Sequence, residues 1–114
     1  MLTYSEEGLG KLSQNLHECY RNHLCRGVYK NKIRPILINS WEAAYFNFTG
    51  ETIYELAKEA ADVGIELLVM DDGWFGNRED DNSSLGDWQV NETKLGMSLN
   101  TLIQKINNLG LTRV

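Results

Sequence analysis

The feature that most constrains this chain is a pair of short apolar runs on either side of a helical stripe. Ile36-Leu37-Ile38 and Leu67-Leu68-Val69-Met70 show no apolar–polar alternation, which is the pattern of strands covered on both faces in parallel sheets. Pro35 precedes the first run, where proline is tolerated at the opening of a strand. Between the runs, Ile53, Leu56, Ala57, Ala60 and Ala61 recur at helical spacing. Thr49 is placed to cap that helix, Glu51 suits its N-terminal dipole, and Gly64 stands where a left-handed residue closes it. The second strand is expected over 65–70. A connection of this length between two strands makes a right-handed parallel crossover, and the expected class is α/β.

The pattern continues past the second strand. Ser98 caps a further helix carrying Leu99, Leu102, Ile103 and Ile106, Gly110 stops it, and Leu111–Val114 begin a third strand. This is β-α-β-α-β cut within the third strand. Residues 33–114 amount to about a third of a typical (β/α)8 TIM barrel. The architecture expected is therefore a partial barrel, two βα units and the start of a third strand, preceded by an N-terminal helix. Such a piece lacks the neighbours that bury its sheet, so the chain reads as a segment of a larger protein, poorly soluble alone. Upstream, Leu9, Leu12, Leu16, Tyr20 and Leu24 form a helical stripe over 5–24, with Ser5 as its start. His17 and His23, six apart, cannot share a helix face and read as surface residues. Arg26–Lys32 is a polar connector.

Composition removes several classes of function. A chain 42% hydrophobic and 24% charged is globular rather than disordered. Its net charge of -5, with basic residues gathered only in the diluted stretch Arg26–Arg34, argues against a nucleic-acid partner. No apolar run approaches the ~18 residues of a membrane span. The N-terminus lacks the basic and apolar regions of a signal peptide, and two thiols read as reduced cysteines complete a cytoplasmic expectation. The loop Gly76–Asp87 reads as solvated, and its Glu79-Asp80-Asp81 cluster is out of register for a calcium loop.

Chemistry concentrates where the second strand ends, in Asp71-Asp72-Gly73-Trp74-Phe75. Carboxylates at the carboxyl end of a strand sit where α/β sheets place ligands. Along a continuing strand the two would point oppositely, but a break toward Gly73 lets both turn inward. The pair could hold sugar hydroxyls, bind Mg²⁺, or serve as acid and base. Trp41, Trp74 and Phe75 favour sugar, whose C–H faces pack on aromatic rings, over the alternative in which Trp41 and Trp74 plug the end of a barrel. A Mg²⁺-dependent phosphotransfer reading lacks the glycine-rich loop it needs after the first strand. No metal and no cofactor is expected.

Four stretches carry a resemblance. Arg34-Pro35-Ile36-Leu37-Ile38-Asn39-Ser40-Trp41-Glu42-Ala43-Ala44-Tyr45-Phe46 and Met70-Asp71-Asp72-Gly73-Trp74-Phe75-Gly76 resemble the α-galactosidases of glycoside hydrolase family 36. Ser83-Ser84-Leu85-Gly86-Asp87-Trp88 and Tyr20-Arg21-Asn22-His23-Leu24 are similar to theirs as well. The resemblance implies a retaining, metal-free hydrolase that removes terminal α-galactose from raffinose- or melibiose-like sugars. It implies that residues 1–32 connect an absent N-terminal β-sandwich to the catalytic barrel begun by 33–114. It also implies homo-oligomeric full-length members. Asp71 and Asp72 match the aspartates that bind galactose hydroxyls, Trp41 matches a tryptophan lining the galactose pocket, and Trp74 shapes the same wall. The nucleophile and the acid/base have no counterpart among these residues, so no catalytic residue is assigned and the isolated chain is expected to be inactive. A non-catalytic galactose-binding module is the alternative.

Overall fold

A computed structural model describes residues 2–111. The chain divides at Arg34–Pro35 into two compact units.

In the first unit, helix α1 spans Leu9–Cys19 and runs on into a π-helical turn, Tyr20–Leu24, closed by the Cys25 N–H donating to the Tyr20 carbonyl at 2.8 Å. The expected stripe is therefore helical, but it starts later than Ser5. The Ser5 hydroxyl accepts from the Glu7 N–H at 3.1 Å, a local turn that competes with capping. The chain then turns at Gly8, φ 88°, before the helix begins. No residue of α1 is buried, and His17 and His23 are both exposed, as expected.

The second unit holds β1 (Leu37–Asn39), α2 (Trp41–Ala44), α3 (Gly50–Asp62), β2 (Leu67–Val69), α4 (Glu92–Leu95) and α5 (Leu99–Asn107). The two strands pair in parallel, Leu37 beside Leu67, Ile38 beside Leu68 and Asn39 beside Val69. β1 is shifted one residue past its apolar run, and β2 is shorter than the expected 65–70. The helix ends follow the expected chemistry. Thr49 and Thr52 form a reciprocal capping box on α3, and the Ser98 hydroxyl caps α5 through the Thr101 N–H. Gly64 and Gly110 take left-handed φ values of 86° and 92° past the two helix ends.

Side chains alternate across the sheet. One face carries Leu68, with Met70 following, into a core of Phe48, Ile53, Ala57, Ala60, Leu95, Leu102, Ile106 and Leu111, against which Ile38 packs. Helices α3 and α5 lie against one another in this layer. The other face carries Leu37 and Leu67, then Asn39 and Val69, then Asp71, and none of these residues is buried. The expectation that β1 is buried on both sides is thus corrected: Ile36 is 59% and Leu37 49% exposed. An unbroken apolar run records that a strand is meant for two covered faces, but the cover must come from elsewhere, and among the described residues helices cover only one. The expected third strand lies outside the described residues, apart from the buried Leu111.

Candidate functional site

The site is built from the carboxyl ends of the two strands. β1 runs into Ser40, whose N–H donates to the Val69 carbonyl at 3.0 Å and whose buried hydroxyl accepts from the Asp71 N–H at 3.1 Å. The neighbouring Asn39 is on the same face as Asp71 and donates its Nδ2 to Asp71 Oδ2 at 2.7 Å. Asn39 Oδ1 in turn accepts from the Trp41 N–H at 2.8 Å. One asparagine side chain therefore orients the carboxylate at the end of β2 and starts the short helix after β1.

Past Asp71 the backbone breaks, as the glycine suggested. Gly73 takes φ 89°, and a Cβ there would lie 3.0 Å from Phe46 Cδ1. The Gly73 N–H donates to Asp72 Oδ1 at 2.7 Å. Arg78, on the following loop, donates its Nε to Asp72 Oδ1 at 2.6 Å and to Oδ2 at 2.8 Å. The Arg78 guanidinium holds the Asp72 carboxyl below the ordinary carboxylate range, with burial opposing and the Gly73 N–H and the Lys94 charge assisting. Lys94 itself sits over the Phe48 ring, 4.8 Å from its centroid, and burial pushes its ammonium down against the pull of Glu79 and Asp72.

Asp71 and Asp72 line one cavity of about 400 Å³ with Val69, Met70, Trp74, Phe75, Leu85 and Trp88. Both aspartate residues thus stand on the wall of one space, with Trp74 beside them. Trp74 meets Phe75 edge-on at 5.1 Å, and Phe75 packs on Trp88 at 4.5 Å. Trp41 does not line this cavity. It stands in α2 in T-shaped contact with Tyr45 and Phe46, the ring centroids 5.2 and 5.0 Å apart.

The loop after Phe75 is more ordered than a solvated connector. An antiparallel bridge joins Phe75 to Val90, the Gly76 N–H donates to the Gln89 carbonyl, and the Asn91 N–H donates to the Trp74 carbonyl, each at 2.9 Å. Inside the loop Arg78 is only 5% exposed. Its Nη1 donates to the carbonyls of Ser83 at 2.8 Å and Asp80 at 3.2 Å. Reading the whole stretch as solvated is corrected for this residue. The signal was a lone cation beside an acidic cluster, six positions after a carboxylate. Among the described residues no group of His, Cys, Asp and Glu is arranged to hold a metal, and no helix is long and apolar enough to cross a membrane.

The depressed Asp72 value has a direct consequence for stability. The stabilisation from its ion pair is fully present above the unfolded carboxylate value, about 3.9, and is lost as pH falls through the lower folded value. Asp72→Asn is expected to remove that acid-sensitive component, which thermal unfolding followed between pH 6 and pH 3 measures as the difference between variant and parent. Parallel curves would refute it.

Comparison with known proteins gives the site its context. The family model described as Melibiase matches residues 1–113. The bifunctional α-galactosidase/sucrose kinase AgaSK of Mediterraneibacter gnavus is 66% identical over 111 residues, 97% of this chain and 12% of its own length. The α-galactosidase AgaA of Geobacillus stearothermophilus is 53% identical over the same share of the chain and 15% of its own. Among solved structures, the galactosidase domain of AgaSK superposes with a TM-score of 0.86 at 65% identity, covering 97% of this chain and 15% of that one. A variant of the family 36 enzyme AgaA in complex with raffinose superposes with a TM-score of 0.86 at 52% identity, covering 97% and 16%. The chain thus spans a small part of the length of the relatives it matches. On the family model and on these identities, the chain belongs to the melibiase family of α-galactosidases.

Proposed function

We propose that this chain is the galactose-binding start of an α-galactosidase barrel. The observation that carries the proposal is the cavity lined by Asp71 and Asp72 together with Trp74, Phe75 and Trp88. Adjacent carboxylates accept hydroxyl protons, and the aromatic wall takes the C–H face of the ring. Asp71 and Asp72 bind galactose hydroxyls and Trp74 forms part of the wall. Trp41 is assigned the wall on the β1 side, because the Asn39 that holds its N–H also holds Asp71.

The uncovered sheet face supports a barrel. Leu37, Leu67 and Val69 point away from the helices, toward where a (β/α)8 interior would be filled by side chains of other strands. In this reading residues 33–114 begin the barrel and residues 1–32 connect it to an N-terminal β-sandwich. The whole protein removes terminal α-galactose from raffinose- and melibiose-like sugars in the cytoplasm, with retention. Retention requires two carboxyl groups about 5–5.5 Å apart across the scissile bond, one as nucleophile and one as acid/base. Neighbouring aspartates, one of them locked to an arginine, suit binding instead, and the catalytic pair is assigned to residues outside this sequence.

The test uses AgaSK as a host. Replacing its matching segment by this one is expected to leave α-galactosidase turnover within about tenfold of the parent, while the 114-residue chain alone shows none. A chimera that folds, as judged by circular dichroism, but turns over no chromogenic α-galactoside would overturn the assignment. So would turnover by the isolated chain abolished by Asp72→Ala.

A further inference from the structure

Arg78 is the most deeply buried charge among the described residues, yet it belongs to a loop whose neighbours Asn77, Glu79, Asp80, Asp81 and Asn82 are all exposed. A guanidinium gives up its hydration only where its donors are satisfied. Here they are divided between two structures. Nε addresses the Asp72 carboxylate. Nη1 binds the Ser83 and Asp80 carbonyls, and Nη2 lies 3.5 Å from Asp81 Oδ1. The plane is backed by the Phe46 ring, 5.6 Å from Cζ.

We propose that Arg78 is the positioning residue of the sugar site, fixing Asp72 in one orientation and tying to it the loop that carries Leu85 and Trp88. The inference rests on the reading of Asp72 as a galactose ligand. Arg78 Nε lies on both Asp72 oxygens and the Gly73 N–H on Oδ1 alone, so more acceptor capacity is left to Oδ2 than to Oδ1, and one side chain sets both the carboxylate and the loop that carries Leu85 and Trp88. A lysine, a point charge without a fork, can satisfy one of these partners but not both. Lys94 is no substitute where it stands, because its Nζ is turned to the Arg78 carbonyl at 3.4 Å.

The groups that bear on the titration of Asp72 are Arg78 and Lys94, with Asp71 adjacent in sequence. Asp80 and Asp81 act on Arg78, and Glu79 acts on Lys94. Removing Arg78 takes away the largest influence favouring the ionised carboxylate. Asp72 then protonates at higher pH, and the acid limb of galactose affinity moves up with it.

The experiment uses the AgaSK chimera, with galactose and 1-deoxygalactonojirimycin as probes; the latter is bound in a solved structure of AgaA. Arg78→Gln is expected to raise both dissociation constants and KM at least tenfold, to lower kcat less than KM rises, and to shift the acid limb of galactose binding upward. Arg78→Lys should lie between the parent and Arg78→Gln. The double variant Arg78→Gln/Asp72→Asn should lose less than the sum of the two single losses, because part of what Arg78 does passes through Asp72. Should Arg78→Gln fail to fold, Arg78→Ala assayed with millimolar guanidinium is the substitute, with partial recovery of affinity expected. A merely structural role predicts additive losses, an unmoved acid limb and no recovery. The proposal is overturned if Asp72→Asn loses affinity while folded Arg78→Gln binds within threefold of the parent, or if the double variant shows additive losses. If Asp72→Asn itself binds like the parent, the reading of Asp72 as a ligand fails first and takes the proposal with it.

Discussion

Asp71→Ala in the AgaSK chimera should lower kcat/KM by about 100-fold or more, with little change in thermal stability. Hydrogen bonds from hydroxyls to a charged carboxylate contribute about 1.5–3 kcal/mol each, and Asp71 has acceptor capacity for two beyond the one it shares with Asn39. The Asn39 contact, at 2.7 Å, also predicts the smaller effect of Asn39→Ala. That variant leaves the carboxylate present but free to rotate, and about tenfold should be lost. Steady-state kinetics on an α-galactoside decide the matter. If folded Asp71→Ala retains kcat/KM within threefold of the parent, the carboxylate does not touch substrate and the cavity is misassigned.

The second large effect falls on Gly73. A side chain there meets two penalties together, a left-handed backbone and a filled space. Its φ is 89°, and the added Cβ would lie 3.0 Å from Phe46 Cδ1, with Lys94 Nζ and Phe48 Cε1 each at 3.4 Å. Strain at such a conformation costs about 1–3 kcal/mol and overpacking a further ~1–3. Gly73→Val should therefore destabilise the protein by about 2–6 kcal/mol and displace Asp72, whose Oδ1 is held by the Gly73 N–H. Gly86→Val is the internal control. Gly86 has φ 100° but nothing within 4 Å of the added atom, so only the strain should appear in its denaturant midpoint. Equal losses for the two variants would show that the tight approach of Phe46 is not maintained in solution.

What could be read from residues alone follows the range of the forces involved. The caps at Thr49 and Ser98 and the left-handed glycines at 64 and 110 are set by contacts within a few positions, and the structure has them where expected. The parallel pairing of β1 with β2 was legible from two apolar runs around one helix. Ser5 looked like an equally good helix start and is not, because the Glu7 N–H two residues on takes its hydroxyl. The exposure of Ile36 and Leu37 could not be read locally, since burial is a property of neighbours. At the site, Asp71, Asp72 and Trp74 line one cavity, whereas Trp41 lies off it, linked through Asn39 to Asp71 and through Phe46 to Arg78. Arg78 was missed because composition places a lone arginine among acidic residues at the surface. Its burial depends on a chain reversal at Gly73 that brings Asp72 within its reach.

The pairing of Phe75 with Val90 sets what the intervening loop can become. Its two ends are already stapled by backbone hydrogen bonds to Gln89 and Asn91, so the loop is a closed ring hung from the rim of the cavity. Lengthening a ring already closed is cheap, about 0.6 kcal/mol per doubling, and the strain of a new tip stops at the staple. Residues near Leu85 can therefore be exchanged or extended to reshape the cavity mouth without disturbing Asp71 or the strands beneath it. Arg78 marks the inner limit of that freedom.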